Sequence, residues 1–170
     1  FFLSRIDSAV DPRLKGAKTE RAARLLGRTA TACAAVAFGA FRTMVASDRW
    51  QRIARHGGAP QKLLWASTGT KDPAYSDVKY VEELVSPETV STLPRKTLDA
   101  FRDHGRPGPA LERNLAAAEE TLRQLAEEGI DLDAVSDDLE QEGIRLFVEA
   151  FDRLHATLRD RLGQAAQEND

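Results

Sequence analysis

The chain has 170 residues and a mass of 18.7 kDa, long enough for one domain with a real hydrophobic core. Its net charge of −3 and pI near 5.7 remove any electrostatic reason to expect nucleic acid or an anionic membrane as a partner. We expect no apolar run long enough to span a bilayer and no signal peptide, since the start lacks a basic segment followed by an apolar one. The single Cys33 excludes an internal disulfide, and together these features lead us to expect a cytoplasmic protein.

Phe1 to Ile6 reads as the end of a strand, with Arg5 and Asp7 at its carboxyl end. A mature chain rarely opens on Phe-Phe-Leu without a methionine, because termini are usually polar and frayed. The sequence therefore reads as the C-terminal part of a longer protein. Pro12 and Gly16 mark a loop. Thr19 is a plausible N-cap for a helix running to Val45, whose apolar side takes in Ala22, Leu25, Leu26, Cys33, Val36, Ala37, Ala40 and Met44. Arg21, Arg24, Arg28 and Arg42 form its solvated face, and Cys33 reads as a packed small hydrophobe rather than a nucleophile. A shorter helix follows Ser47, carries Trp50 and Ile53, and stops at Gly57-Gly58-Ala59-Pro60.

Leu63-Leu64-Trp65-Ala66 is a short apolar run bounded by turn residues, the pattern of a buried strand. Ser67-Thr68-Gly69-Thr70-Lys71 follows at once. Hydroxyl donors, a glycine that lets backbone N–H groups approach, and an ammonium suit a cluster of phosphate oxygens. In α/β proteins ligands bind at the carboxyl ends of strands. An ordinary Ser/Thr/Gly loop after a strand is the competing reading of the same residues. Val81 to Val85 is a short helix or turn. Thr89 to Thr92 is the next strand, ended by Pro94, and a helix from Arg95 to Asp103 stops at His104-Gly105.

Gly105-Arg106-Pro107-Gly108-Pro109 is the clearest breaker in the chain and divides it at 1–105 and 106–170. Beyond it, Leu111, Leu115, Ala118, Leu122 and Leu125 predict an amphipathic helix ending at Gly129. Ser136 is expected to cap a last helix whose core face is Leu139, Phe147, Phe151, Leu154, Leu158 and Leu162. Strands near 1–6, 62–67 and 88–92 separated by helices predict an α/β fold with parallel strands and crossover helices.

The run WASTGTKDPAYSDVKYVEELVSPETVSTLP, Trp65 to Pro94, closely resembles the transaldolases of the bacterial and plant branch. FFLSRIDSAVDPRL at the start and DRWQRIARHGGAPQ between the two resemble the same family. The resemblance covers roughly the first 105 residues; beyond them only the helical character matches. It implies strands six to eight of a (β/α)8 TIM barrel, with additional C-terminal helices packing on it.

The resemblance also implies a reaction: transfer of a dihydroxyacetone unit between sugar phosphates in the pentose phosphate pathway. The chemistry is a cofactor-free Schiff base on a barrel lysine. A buried lysine has a lowered pKa, so its neutral amine can attack a ketone. That lysine lies on an earlier strand than any present here, and none of Lys15, Lys18, Lys62, Lys71, Lys79 and Lys96 matches its motif. The chain alone is expected to be inactive and to need the missing N-terminal part of the barrel.

What the chain carries, on this resemblance, is the phosphate end of the site. Arg5 lines up with an arginine that binds the substrate phosphate, and a guanidinium can hold two oxygens at once. Ser67 lines up with a phosphate-facing serine. Gly69 falls where the better-studied branch has a second arginine, and Lys71 is the nearest cation that can stand in for it. Thr68 and Thr70 are weaker donor candidates, and Asp7 is expected to hold Arg5 in place. His56, His104 and His155 have no ligand-like spacing, so no metal is expected. Two alternatives are a non-catalytic interaction or regulatory module from Ala110 onward and a transaldolase–phosphoglucose isomerase fusion.

Overall fold

Trp65 anchors the sheet. In the computed structural model, which describes residues 2–108 and 110–167, β1 (Leu63–Trp65) and β2 (Thr89–Ser91) pair in parallel, with Leu63 opposite Thr89 and Trp65 opposite Ser91. The Trp65 ring is fully buried and its indole N–H donates to the Leu84 carbonyl at 3.2 Å. Its own carbonyl accepts from the Thr92 backbone N–H at 2.9 Å, which continues the ladder past β2. On the other side of β1, Phe2 forms an isolated parallel bridge with Ala66, and the Leu3 N–H donates to the Ala66 carbonyl at 3.0 Å.

The strand expected over residues 1–6 is therefore reduced, among the described residues, to Phe2 alone. From Leu3 the chain is already helical, in α1 (Leu3–Ala17). Leu3, Val10 and Leu14 lie on one helical face and are buried, so a 3.6-residue apolar repeat runs through what looked like a strand and a loop. Pro12 lies inside this helix and Gly16 does not break it. The break comes at Lys18, which takes the left-handed conformation at φ 56°.

Thr19 caps the next segment as expected, its hydroxyl accepting from the Ala22 N–H at 2.9 Å. The single long helix expected from there to Val45 is two, α2 (Glu20–Leu25) and α3 (Thr29–Ala46). Gly27 makes the division. Its φ is +67°, and a Cβ there would fall 2.7 Å from the Tyr75 ring, so both conformation and space demand glycine. The buried side of α3 is Ala30, Ala34, Ala35, Phe38 and Phe41, while Met44 is exposed. Almost every position of α3 is apolar, so periodicity alone does not say which side faces inward.

By length and composition α3 can cross a membrane, with a mean hydropathy of 1.3 over 18 residues, contrary to the expectation that no such run exists. Here it is the central core helix, packed between α1 and α7 (Leu111–Glu127). Leu111, Ala118 and Leu125 of α7 are buried, and Leu111 and Ala118 join Leu3, Ala30, Phe38, Trp65, Tyr80 and Leu84 in one hydrophobic cluster. The leucine repeat of α7 was thus correctly legible as a core face.

The remaining short elements follow their sequence signals. Ser47 caps α4 (Asp48–Arg55), accepting from the Trp50 N–H, and Val81 lies in a true helix, α5 (Lys79–Leu84). Helix α6 (Arg95–His104) begins after Pro94. The first compact unit, Phe1–Leu132, includes α7, so the chain divides well past the Gly/Pro-rich breaker.

The second unit, Asp133–Asp170, is built on α8 (Leu132–Gln167), a helix of 36 residues. Ser136 lies within it rather than at its cap. The core face expected for it is also corrected: Phe147, Phe151, Leu154, Leu158 and Leu162 are all exposed. The apolar spacing is real, but nothing among the described residues covers it.

Candidate functional site

All three parallel segments point their carboxyl ends the same way, so the residues just after Phe2, β1 and β2 share one end of the sheet. Ser67 follows β1 and Ala66 with φ 55°, a left-handed conformation that costs a non-glycine residue roughly 1–2 kcal/mol. Strained backbone of this kind concentrates at sites where geometry matters to function. The Ser67 carbonyl accepts from the Ser4 N–H at 3.1 Å, which ties this loop to the first turn of α1. Arg5 is the next residue. Its guanidinium is exposed and lies 5.7 Å from the centre of the Phe2 ring, a cation–π contact.

Arg5 therefore sits in the first turn of a helix and not on a strand. The expected partnership with Asp7 is not what holds it. Asp7 is buried, with one carboxylate oxygen accepting from the Ala30 N–H and the other from the Tyr80 hydroxyl, each at 2.8 Å. One helical turn on, Asp11 repeats the arrangement: it accepts from the Gly27 N–H at 2.9 Å and from the Tyr75 hydroxyl at 2.7 Å. Two carboxylates at i and i+4 on one face of α1 thus clasp the junction that opens α3 and two tyrosines from the segment after β1.

Charge chemistry sets the character of this clasp. Burial pushes the Asp7 carboxyl above its ordinary 3.8, against the lowering effect of its hydrogen bonds from Ala30 and Tyr80. The same burial, reinforced by the neighbouring carboxylates, pushes the hydroxyls of Tyr75 and Tyr80 well above 10, so both remain protonated donors at neutral pH. The sequence signal for the clasp was the Asp7/Asp11 spacing, which becomes informative only once the segment is known to be helical.

Lys71 lines a cavity of about 370 Å³ with Ser4, Asp7, Asp11, Lys15, Tyr75 and Tyr80; Arg5 and Ser67 are not among its lining residues. At its rim Lys15 bridges to Asp72 at 3.0 Å, which raises the lysine pKa, and the Ala74 N–H together with this lysine lowers that of Asp72. The Ser4 Oγ is buried on this cavity and has no hydrogen-bond partner among the described residues. The three phosphate-binding candidates thus divide: Arg5 and Ser67 are joined through backbone at the strand ends, and Lys71 lies by the clasp.

Thr68 is not available as a ligand donor. It is fully buried and its hydroxyl donates to the Thr92 carbonyl at 2.6 Å, fastening the ends of the two strands. Gly69, the position that carries a second arginine in the better-studied branch, has Pro94 at 3.3 Å and Thr97 at 3.4 Å from a notional Cβ, so a side chain there would press on both.

Cys33 is partly buried, and desolvation pushes its thiol up to about 11. His104 bridges Asp77 and Asp103 in exposed ion pairs. Among the described residues no group of three or more His, Cys, Asp or Glu side chains is arranged to hold a metal ion.

Comparison of the sequence with known proteins finds relatives over nearly its whole length. The profile of a family described as Transaldolase/Fructose-6-phosphate aldolase matches residues 1–158. A transaldolase from Parafrankia sp. (strain EAN1pec) is 44% identical over 167 residues, which is 98% of this chain and 45% of the relative. One from Saccharopolyspora erythraea is 43% identical over 97% of this chain and 45% of its own length. Transaldolase 1 of Streptomyces coelicolor is 44% identical over 95% and 43% respectively. The chain spans about half the length of the curated relatives it matches.

Proposed function

Because this chain belongs to the transaldolase/fructose-6-phosphate aldolase family, whose fold is a TIM barrel, we propose that it works as the phosphate-binding side of a transaldolase. The complete protein transfers a dihydroxyacetone unit between sugar phosphates in the cytoplasmic pentose phosphate pathway. The ketose donor forms a Schiff base with a lysine outside residues 1–170, and Phe2, β1 and β2 correspond to strands six, seven and eight of the barrel. Arg5 and Ser67 bind the substrate phosphate, and Lys71 adds positive charge nearby. Residues 1–170 alone do not turn over.

The observation that carries this reading is the backbone bond from Ser4 to Ser67. It couples the residue beside Arg5 to a strained hydroxyl residue at the end of the neighbouring strand. The guanidinium of Arg5 and the hydroxyl of Ser67, on segments joined by that backbone bond, supply a fork and a single donor, groups that suit a tetrahedral dianion. Neither needs a metal to hold the phosphate.

The test uses a completed chain, in which residues 1–170 are joined to the portion of the Parafrankia relative that the alignment leaves uncovered. An arginine–phosphate interaction contributes on the order of a charged hydrogen bond, roughly 1.5–3 kcal/mol. Arg5→Ala should therefore raise KM for a sugar phosphate by about tenfold to a hundredfold. Ser67→Ala should act in the same direction more weakly, and Lys71→Ala least, since Lys71 lines a cavity that Arg5 does not. Unchanged KM in Arg5→Ala removes Arg5 from the site.

A further inference from the structure

The cavity between α1 and the segment after β1 holds two polar groups that the fold leaves unmet. Ser4 lines it, is only 1% exposed, and its Oγ has no hydrogen-bond partner among the described residues. A hydroxyl buried in this way is costly, and folded proteins hold few of them. The exposed Lys71 lines the same cavity and makes no ion pair among the described residues, whereas Lys15 at the rim is held by Asp72. The cavity measures about 370 Å³, many times the share of one water and within the range of small-molecule pockets.

The remaining walls decide what can enter. Asp7 and Asp11 each take two donors from the protein, but a carboxylate offers about four lone-pair sites, so both keep acceptor capacity. Tyr75 and Tyr80 spend their hydroxyl hydrogens on those carboxylates, which leaves their oxygens as further acceptors. This side of the cavity accepts hydrogen bonds and repels anions. Lys71 brings a positive charge with free donors, and Ser4 can donate or accept. An apolar guest would leave Ser4 unmet, a cation would face Lys71, and a guest anionic throughout would face two carboxylates.

We propose that this cavity is a second binding site, separate from the Arg5 and Ser67 site, for a small polyol that carries one anionic group. The hydroxyls of the polyol donate to Asp7, Asp11 and the tyrosine oxygens, one of its oxygens accepts from the Ser4 Oγ, and its anionic group pairs with Lys71. Neither Arg5 nor Ser67 lines the cavity, and the Arg5 guanidinium lies over the Phe2 ring. Lys71, which lends only nearby charge to the substrate phosphate, makes its direct contact here. Phosphate and carboxylate both meet the requirement for the anionic group.

Titration calorimetry of the completed chain carrying Arg5→Ala tests this, since that background disables the substrate phosphate site. The probes are sorbitol 6-phosphate and gluconate, which have no ketone and form no Schiff base, with sorbitol as the uncharged control. One of the two anionic probes should bind one to one and at least about tenfold more tightly than sorbitol, and the tighter one identifies the anionic group. Lys71→Met should weaken that probe about tenfold or more, and Ser4→Ala about threefold to tenfold. Ser4→Ala deletes a hydroxyl that has no partner, so urea denaturation should find stability unchanged or raised, and its lost affinity then reports the ligand and not the fold. No binding of either anionic probe up to about 10 mM overturns the proposal, as does sorbitol binding as tightly as both. Affinity unmoved by Ser4→Ala, or unmoved by Lys71→Met, overturns it too. The substrate assignment is judged separately, by the change in KM when Arg5 is removed, so either reading can fail without the other.

Discussion

Replacing Asp7 tests whether the clasp orders the helices around the site. Its two oxygens take up the Ala30 N–H and the Tyr80 hydroxyl, each at 2.8 Å and each in a buried setting. Asp7→Ala strands both donors, at roughly 1.5–3 kcal/mol for each hydrogen bond to a charged group. It also relieves the burial penalty that raises the Asp7 pKa, so the net loss should be about 3 kcal/mol. Asp7→Asn keeps an acceptor for Ala30 and should cost about 1 kcal/mol. Urea denaturation of the completed chain measures both.

The pH dependence supplies a second reading of the same group. With its folded pKa above 3.8, Asp7 holds its proton in the native state where the unfolded chain has released it. Its contribution to stability is then greatest below pH 3.8, falls as pH rises through the raised folded pKa, and is constant beyond. Asp72 and Asp77, whose pKa values are lowered, act in the opposite sense, so the difference between the unsubstituted protein and Asp7→Asn isolates the Asp7 slope. A loss below about 0.5 kcal/mol in Asp7→Ala, or an identical pH profile in Asp7→Asn, would refute the clasp.

Three further outcomes follow from the packing. Gly27→Ala must adopt φ +67° and push into the Tyr75 ring, so it should destabilise the completed chain by about 2–3 kcal/mol, measured by urea denaturation. Cys33, with its thiol raised to about 11, should alkylate far more slowly with iodoacetamide at pH 8 in native than in urea-unfolded protein. Among the described residues no further strand pairs beside Phe2 or at the outer side of β2, and such edges recruit other chains. The isolated 170-residue chain should aggregate or melt without cooperativity, and a sharp monomeric melt by calorimetry would contradict that.

Local signals read well where local physics decides. Ser47 and Thr19 cap helices because a hydroxyl satisfies an N–H of the first turn, and that is visible residue by residue. β1 and β2 formed where apolar and β-branched runs lie between turn residues. The start of the chain read differently, because Phe-Phe-Leu has the composition of a strand while the buried spacing Leu3, Val10, Leu14 is helical over a longer window. Gly27 stands inside a run of helix formers with no local sign of its role, since the Tyr75 ring that requires it comes from a distant segment. On α8 periodicity found the apolar stripe correctly, but no sequence pattern says whether a partner surface is present in the same stretch of chain.

At the candidate site, residue types were legible and their partners were not. Arg5 and Ser67 stood out by resemblance, and the Ser4–Ser67 bond between their segments depends on strand pairing. Thr68 looked like a ligand donor because hydroxyls advertise themselves in sequence, yet its bond to Thr92 uses it structurally. Asp7 looked like a prop for Arg5 and is instead half of a clasp with Tyr80.

The central claim is that Arg5 recognises the phosphate of the substrate. The direct measurement is kcat/KM of the completed chain for a sugar phosphate and for the same sugar without its phosphate, in the unsubstituted protein and in Arg5→Ala. Arg5→Ala should lower the value for the phosphorylated sugar by roughly tenfold or more and leave the unphosphorylated sugar unchanged. An equal loss on both sugars, or no loss on either, would contradict it.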